Sequence, residues 1–499
     1  MATAIDLINH AVGLIVPEII LLATVCVMFL VGPFLVKDDG TTESGLRHRW
    51  GILALISLGL AGWVWYGTSP QPVTTGPFRI DDFTCFVRGL SLVFGGILVL
   101  MVWNQIDDAH AAEAQACLLA MVAGTNFTVL ANDLVGLFLG LELVSIPTYV
   151  LIYLPRRDRL MREATVKYFM LSIFSAALVL YGLSWIFGAT GTTNLVGIAN
   201  ALMNPNSSAA SLLPLATALL IAGLGSRITA VPFHFYAPDV FQGATTSMAA
   251  ILSFIPKVVG FAALLRLLPL LAGAATPGSW ASSGSMQCLL SILAVVTMFG
   301  GNLLALRQTN LQRLLAYSSV AHAGYLLVGL TVGDGGTTVK GLSALLFYLP
   351  VYGLMTIGAF ALISSARRNG TPIQTLSDLA GLSRTQPAIA ILLAICLFSL
   401  TGMPPTAGLL GKLNLFFAAW SEGTRQGQVL AILLAINAMI AAFYYLRLVA
   451  VMYLESPKNE TEATLDPMSG LAGVLCTIAT IGIFLVPQWL WDAVLKAAV

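Results

Sequence analysis

Apolar runs of twenty or so residues, parted by short polar stretches, recur along the whole chain, and each is long enough to cross a bilayer as a helix. By that rule the pattern predicts about fourteen transmembrane helices, at roughly 11–36, 50–67, 83–103, 107–131, 133–154, 162–188, 212–234, 245–271, 286–307, 311–332, 340–365, 387–420, 427–454 and 467–490. The fold class is therefore an all-α membrane protein. Two of the runs are interrupted. Pro232 and Pro238 fall at the end of the seventh, and Pro404-Pro405 splits the twelfth. Proline breaks the helix ladder, and at membrane depth this is tolerated where protein or water satisfies the freed carbonyls.

The two interruptions lie five helices apart, each beside a cation: Arg227 near Pro232, Lys412 after Pro404-Pro405. This predicts two five-helix repeats, residues 111–272 (helices four to eight) and 283–455 (helices nine to thirteen). Residues 1–110 supply helices one to three and 466–499 the last, all within one polytopic domain. An odd number of helices per repeat inverts the second copy, the arrangement in which broken helices meet at midplane.

Composition agrees with the membrane reading. Hydrophobic residues make up 58% of the 499 and charged ones 9%, with a formal net charge of +1, so nothing suggests a nucleic-acid partner. The segment before the first run carries Asp6 and no lysine or arginine, and the run is too long for a signal peptide, so the first helix is expected to stay. Lys37, Arg47, Arg49, Arg156, Arg157, Arg159, Arg307, Arg313, Arg367, Arg368 and Arg384 follow odd-numbered helices. The positive-inside rule then puts those loops in the cytoplasm and both termini on the opposite side. The six cysteines are scattered without a CxxC pair, which reads as small buried hydrophobes and argues against an iron–sulfur cluster or structural zinc.

Charges inside the apolar runs carry the chemistry. Glu142, Arg227, Lys257 and Lys412 all fall near the midplane, with Arg227 expected mid-way along helix seven. A charge there costs about 2.5–3.5 kcal/mol on insertion scales, so it faces protein or a water path rather than lipid. Lys167, near a helix start, fits a snorkelling side chain instead. Histidine as a residue type titrates near working pH, so His234 and His322 are candidates for a proton path, against the plain reading of buried neutral histidines bonded to a neighbour. Ser318, Ser319 and Tyr317 read as helix-to-helix hydrogen bonders, Asp133 as a helix cap, and Gly136 and Gly140 as a close-packing pair. The string ending Gly411-Lys412-Leu413 lacks the spacing of a phosphate loop, and no dinucleotide fingerprint is present.

The strings GLFLGLELVSIPTYVL (136–151), AVPFHFYAPDVFQGA (230–244), GNLLALRQTNLQRLLAYSSVAHAGYLL (301–327) and SLTGMPPTAGLLGKL (399–413) closely resemble the antiporter-like subunits of respiratory complex I, the proton-translocating NADH–quinone oxidoreductase. The resemblance covers nearly the whole chain. It implies fourteen helices in two inverted repeats and a place in the proton-pumping membrane arm, among other membrane-arm subunits, with protons and water as cargo. It implies a bacterial inner membrane, a quinone as electron acceptor, and FMN and iron–sulfur clusters in partner subunits, with no cofactor in this chain. In the family a glutamate of helix five pairs with a lysine of helix seven, a lysine of helix eight links the half-channels, and a helix-twelve lysine leads onward. Glu142, Lys257 and Lys412 match.

Arg227 departs from that pattern, and the departure has a physical meaning. A desolvated lysine can lose its proton near neutral pH, whereas arginine in effect cannot. Arg227 is thus expected to hold Glu142 ionised in a bidentate pair, leaving titration to Lys257 and perhaps His234. The expected activity is that of a translocase subunit with no redox chemistry of its own. Two other readings remain open: an Mrp-type cation/proton antiporter, and a passive scaffold of the membrane arm.

Overall fold

The computed structural model describes residues 12–36, 45–67, 76–155, 158–202, 212–273, 284–332, 340–368, 371–456 and 463–498. Asp6, Lys37, Arg156 and Arg157 lie outside them. The helices are α1 (Val16–Val31), α2 (Leu46–Gly67), α3 (Asp82–Val102), α4 (Ala111–Leu130), α5 (Leu134–Tyr153) and α6 (Arg159–Thr190). A two-piece α7 follows, Leu213–Arg227 and Ala237–Gly243, then α8 (Thr246–Gly273), α9 (Ser285–Ala305), α10 (Leu311–Thr331) and α11 (Gly341–Ser365). α12 is also in two pieces, Pro387–Thr401 and Ala407–Ser421, before α13 (Arg425–Leu454) and α14 (Pro467–Leu485). Among the described residues twelve helices are long and apolar enough to cross a membrane, and with the two broken ones they make the fourteen expected.

Three details differ from the sequence reading. The last span stops at Leu485, and Pro487 opens a separate helix, Gln488–Ala497. The polar loop after α6 carries a short helix, Leu195–Leu202. A small antiparallel sheet forms in the loops flanking α12 and α13, with Ala366–Arg368 between Thr371–Pro372 and Ala463–Leu465.

The packing repeats at an interval of five helices. α4 lies against α5 and α8, as α9 lies against α10 and α13; α6 packs on α7 as α11 packs on α12; α7 meets α8 as α12 meets α13. Glycine sets the closest of these contacts in both halves. A Cβ on Gly140 of α5 would come within 2.7 Å of the Thr128 nitrogen of α4, and one on Gly324 of α10 within 2.6 Å of the Met298 nitrogen of α9. Small residues let helices approach where lipid supplies no hydrophobic drive. Gly136, by contrast, faces Asp133 of its own cap and not a neighbouring helix.

α11 is buried along almost its whole length and forms the centre, joined to the first half by α8. Large apolar side chains on the rim, such as Trp63, Tyr66, Phe443 and Leu454, are exposed, as a lipid-facing surface requires. Of the cysteines, Cys117, Cys396 and Cys476 are buried, but Cys26 and Cys288 lie on this outer surface, so the all-buried reading does not hold for them. The N-terminal helices are tied by a fully buried ion pair, Arg88 of α3 donating to both oxygens of Glu18 on α1 at 3.0 and 2.7 Å.

Candidate functional site: a buried polar axis

The site begins at α5. Asp133 caps this helix, its carboxylate accepting from the Gly136 N–H at 2.7 Å, as the sequence led us to expect. Two turns on, Glu142 faces α7. Arg227 is the last helical residue of the first piece of α7, at the break and not mid-way along a continuous helix. The chain turns there because Thr229 adopts a left-handed φ of 60° and the Ile228, Thr229 and Ala230 N–H groups fold back on the preceding turn. Tyr236 donates to the Ser226 carbonyl at 2.9 Å, beside the Thr229 N–H that the same oxygen accepts. A cation at this carbonyl-rich end is favourably placed.

Arg227 donates to Glu142 Oε1 at 2.6 Å from one nitrogen only. Its other terminal nitrogen donates to the Leu141 carbonyl at 3.1 Å and to Ser145 Oγ at 2.5 Å. The pair is therefore single-pronged, not bidentate as expected: the guanidinium spreads over three acceptors of one α5 turn. Beside it lies a small cavity of about 20 Å³, lined by Ser145, Ser172, Ser175, Ser226, Tyr168 and Arg227, enough for one water.

Lys257 lies one turn before Gly260, the point where α8 meets the α7 break; a Cβ there would collide with Ile228 at 2.5 Å. Lys257 is fully buried and donates to Ser319 Oγ of α10 at 2.6 Å. The Tyr352 hydroxyl of α11 donates to the Ser253 carbonyl at 3.0 Å and hydrogen-bonds the same Ser319 oxygen at 2.9 Å. Ser319, His322 and Tyr325 are spaced by three and share one face of α10. His322, also buried, joins Tyr348 through Nδ1 at 2.6 Å and Tyr445 through Nε2 at 3.1 Å, and Tyr445 in turn hydrogen-bonds Ser318.

Lys412 completes the axis through the second break. Gly402 ends the first piece of α12 in a left-handed conformation, φ 90°, and a Cβ there would press on the Lys412 side chain at 3.1 Å. The terminal carbonyls of Leu400 and Thr401 are left without helical partners, and Lys412 Nζ donates to them at 2.7 and 2.8 Å. Its ammonium also sits 5.2 Å from the centroid of the Tyr325 ring.

Of the six residues singled out from the sequence, Glu142 and Arg227 form one contact group. Lys257, His322 and Lys412 converge on the Ser319–His322–Tyr325 face of α10. His234 joins neither; it lies in the break of α7, its Nδ1 buried without a hydrogen-bond partner among the described residues. Lys167 does not simply snorkel: it donates to Asp239 at 2.8 Å, and Arg313 of α10 reaches the other oxygen of that carboxylate at 2.6 Å. Tyr325, Tyr348, Tyr352 and Tyr445 were not foreseen, although Tyr348 and Tyr352 stand four apart on an otherwise apolar helix, a readable signal. Ser318 and Ser319 bond to neighbouring helices as expected, but in doing so Ser319 becomes the Lys257 acceptor.

A further cation, Arg266 of α8, grips Asp81 at the head of α3 with two N–H groups at 2.6 and 2.9 Å. Burial pushes the Asp81 carboxyl up, but the Arg266 contacts and the Thr84 donors override it and hold the group at about 2, below its ordinary 3.8.

Residues 131–458 match the family model described as NADH:quinone oxidoreductase/Mrp antiporter, transmembrane. NADH-quinone oxidoreductase subunit N of Trichlorobacter lovleyi is 37% identical over 450 residues, 90% of this chain and 88% of that protein. Subunit N of Rhodospirillum rubrum is 34% identical over 500 residues, covering 97% and 96%. A chain of the respiratory complex I structure from Thermus thermophilus superposes with a TM-score of 0.77 at 29% identity, over 95% of this chain and 98% of that one. The chain belongs to the NADH:quinone oxidoreductase/Mrp antiporter family, and within it to the NADH-quinone oxidoreductase subunit N proteins.

Proposed function

We infer that this chain is a proton-translocating subunit of the membrane arm of an NADH–quinone oxidoreductase. Electron transfer from NADH to quinone takes place in partner subunits, and this chain turns the resulting energy into proton movement. The observation that carries the reading is the set of ionisable groups, buried or half-buried, from α5 to α12: Glu142–Arg227 at one break, Lys257 and His322 in the centre, Lys412 at the other break. Five ionisable groups held at membrane depth at such cost weigh against a passive scaffold.

The residues divide the work by chemistry. Arg227 is a fixed counter-charge for Glu142, because arginine does not release its proton. Glu142, Lys257, His322 and Lys412 are the exchanging groups, and His234 takes part at the α7 break from outside the connected set. The repeats, residues 111–272 and 283–455, each contribute one broken helix. The membrane is a bacterial inner membrane, with both termini on its non-cytoplasmic side. The flavin and iron–sulfur clusters belong to partner subunits; the scattered cysteines here have no cluster-binding spacing.

Isolation of the tagged chain from its native membrane tests this. The expected preparation contains flavin- and iron–sulfur-bearing subunits and oxidises NADH with quinone. A preparation free of those subunits that exchanges sodium for protons in vesicles would overturn the reading in favour of the antiporter.

A further inference from the structure

We propose that Tyr325 is a positioning residue whose ring face, and not its hydroxyl, seats the Lys412 ammonium. An ammonium carries three N–H donors. Two of those of Lys412 go to the Leu400 and Thr401 carbonyls, and the side chain is buried, so the third needs cover away from water. The aromatic ring 5.2 Å away supplies it, within the range where an aromatic face attracts a cation.

The hydroxyl is engaged elsewhere. It accepts from Asn302 Nδ2 of α9 at 3.1 Å, and Asn302 is itself fixed by the Asn437 side-chain oxygen at 3.1 Å and by the Tyr444 hydroxyl at 3.0 Å. Asn302 and Asn437 are fully buried, so this lock on α9 and α13 holds the ring's position. On its other side the ring stands edge-on to His322, centroids 5.4 Å apart. Tyr325 therefore fills the space between His322 and Lys412 without offering a proton to either. It keeps the ammonium beside the end of the first α12 piece and is not a step in the route.

The proposal rests on Lys412 belonging to the proton route, and the experiment separates the two. Tyr325→Phe, Tyr325→Leu and Lys412→Ala are made in the intact complex and assayed in inverted membrane vesicles. Complex abundance, quinone reductase rate and NADH-driven proton uptake are measured. Tyr325→Phe is expected to pump at the parental ratio of protons to electrons, and Tyr325→Leu to lose on the order of tenfold in pumping rate with the complex assembled. A loss in Tyr325→Phe overturns the proposal, since the hydroxyl then acts in transport. Parental pumping by Tyr325→Leu alongside an impaired Lys412→Ala overturns it too, leaving the role of Lys412 intact. Normal pumping by Lys412→Ala sinks the reading of Lys412 itself. If Tyr325→Leu does not assemble, Tyr325→Phe decides: parental pumping supports the ring, loss rejects it.

Discussion

Arg227 ends the first piece of α7 with one guanidinium nitrogen 2.6 Å from Glu142 Oε1 and the other bonded to Ser145 and the Leu141 carbonyl. The carboxylate therefore has a permanent positive partner anchored to the same turn that carries it.

This arrangement separates charge from fork geometry. Arg227→Lys keeps the charge near Glu142 and loses only the second set of contacts, so it is expected to retain most proton pumping. Arg227→Ala leaves a half-buried carboxylate without its cation and should lose about tenfold, the scale of one charge-assisted hydrogen bond. Proton uptake per NADH oxidised in vesicles checks both. Equal activity of the alanine and lysine variants would show that Glu142 does not depend on this partner.

Lys257 meets α10 at its acceptor Ser319, which also hydrogen-bonds Tyr352. Ser319→Ala removes that acceptor while leaving the lysine in place. It is expected to lower pumping by a few-fold, less than Lys257→Ala does, in line with one hydrogen bond to a charged group. A Ser319→Ala complex as impaired as Lys257→Ala would mean that the serine itself relays the proton.

Much of this was legible from residue types. Buried ionisable side chains in apolar runs are rare and costly, so Glu142, Lys257 and Lys412 stood out, and proline marked both breaks. What the sequence hid were partners supplied by distant segments. Tyr325 and Ser319 are ordinary residues in a membrane helix until Lys412 and Lys257 arrive from α12 and α8. Glu18 and Arg88, seventy residues apart, lie close to the ends of their runs, where a charge need not be buried. Arg227 was placed mid-helix because an apolar run continues through the break, and only the backbone reversal at Thr229 ends the helix there. The single-pronged contact to Glu142 likewise depends on Ser145 competing for the guanidinium.

The Asp81–Arg266 grip predicts a pH behaviour. The Asp81 carboxyl is held at about 2 against an ordinary value of 3.8, so its contribution to stability is full above about pH 4. It is lost only as pH falls toward 2. The fall in melting temperature caused by Asp81→Asn should then be the same at pH 5, 6, 7 and 8. A difference that shrinks between pH 7 and pH 5 would show that Asp81 titrates in that range and is not held by Arg266.

The central claim is that protons pass through the buried groups of this chain during quinone reduction. The most direct test is the ratio of protons moved to electrons transferred in vesicles carrying the intact complex with Glu142→Gln. The substitution keeps the size and hydrogen-bonding capacity of the side chain and removes its charge. The expected outcome is an assembled complex whose ratio falls below the parent's. An assembled complex with the parental ratio and the parental quinone reductase rate would contradict it.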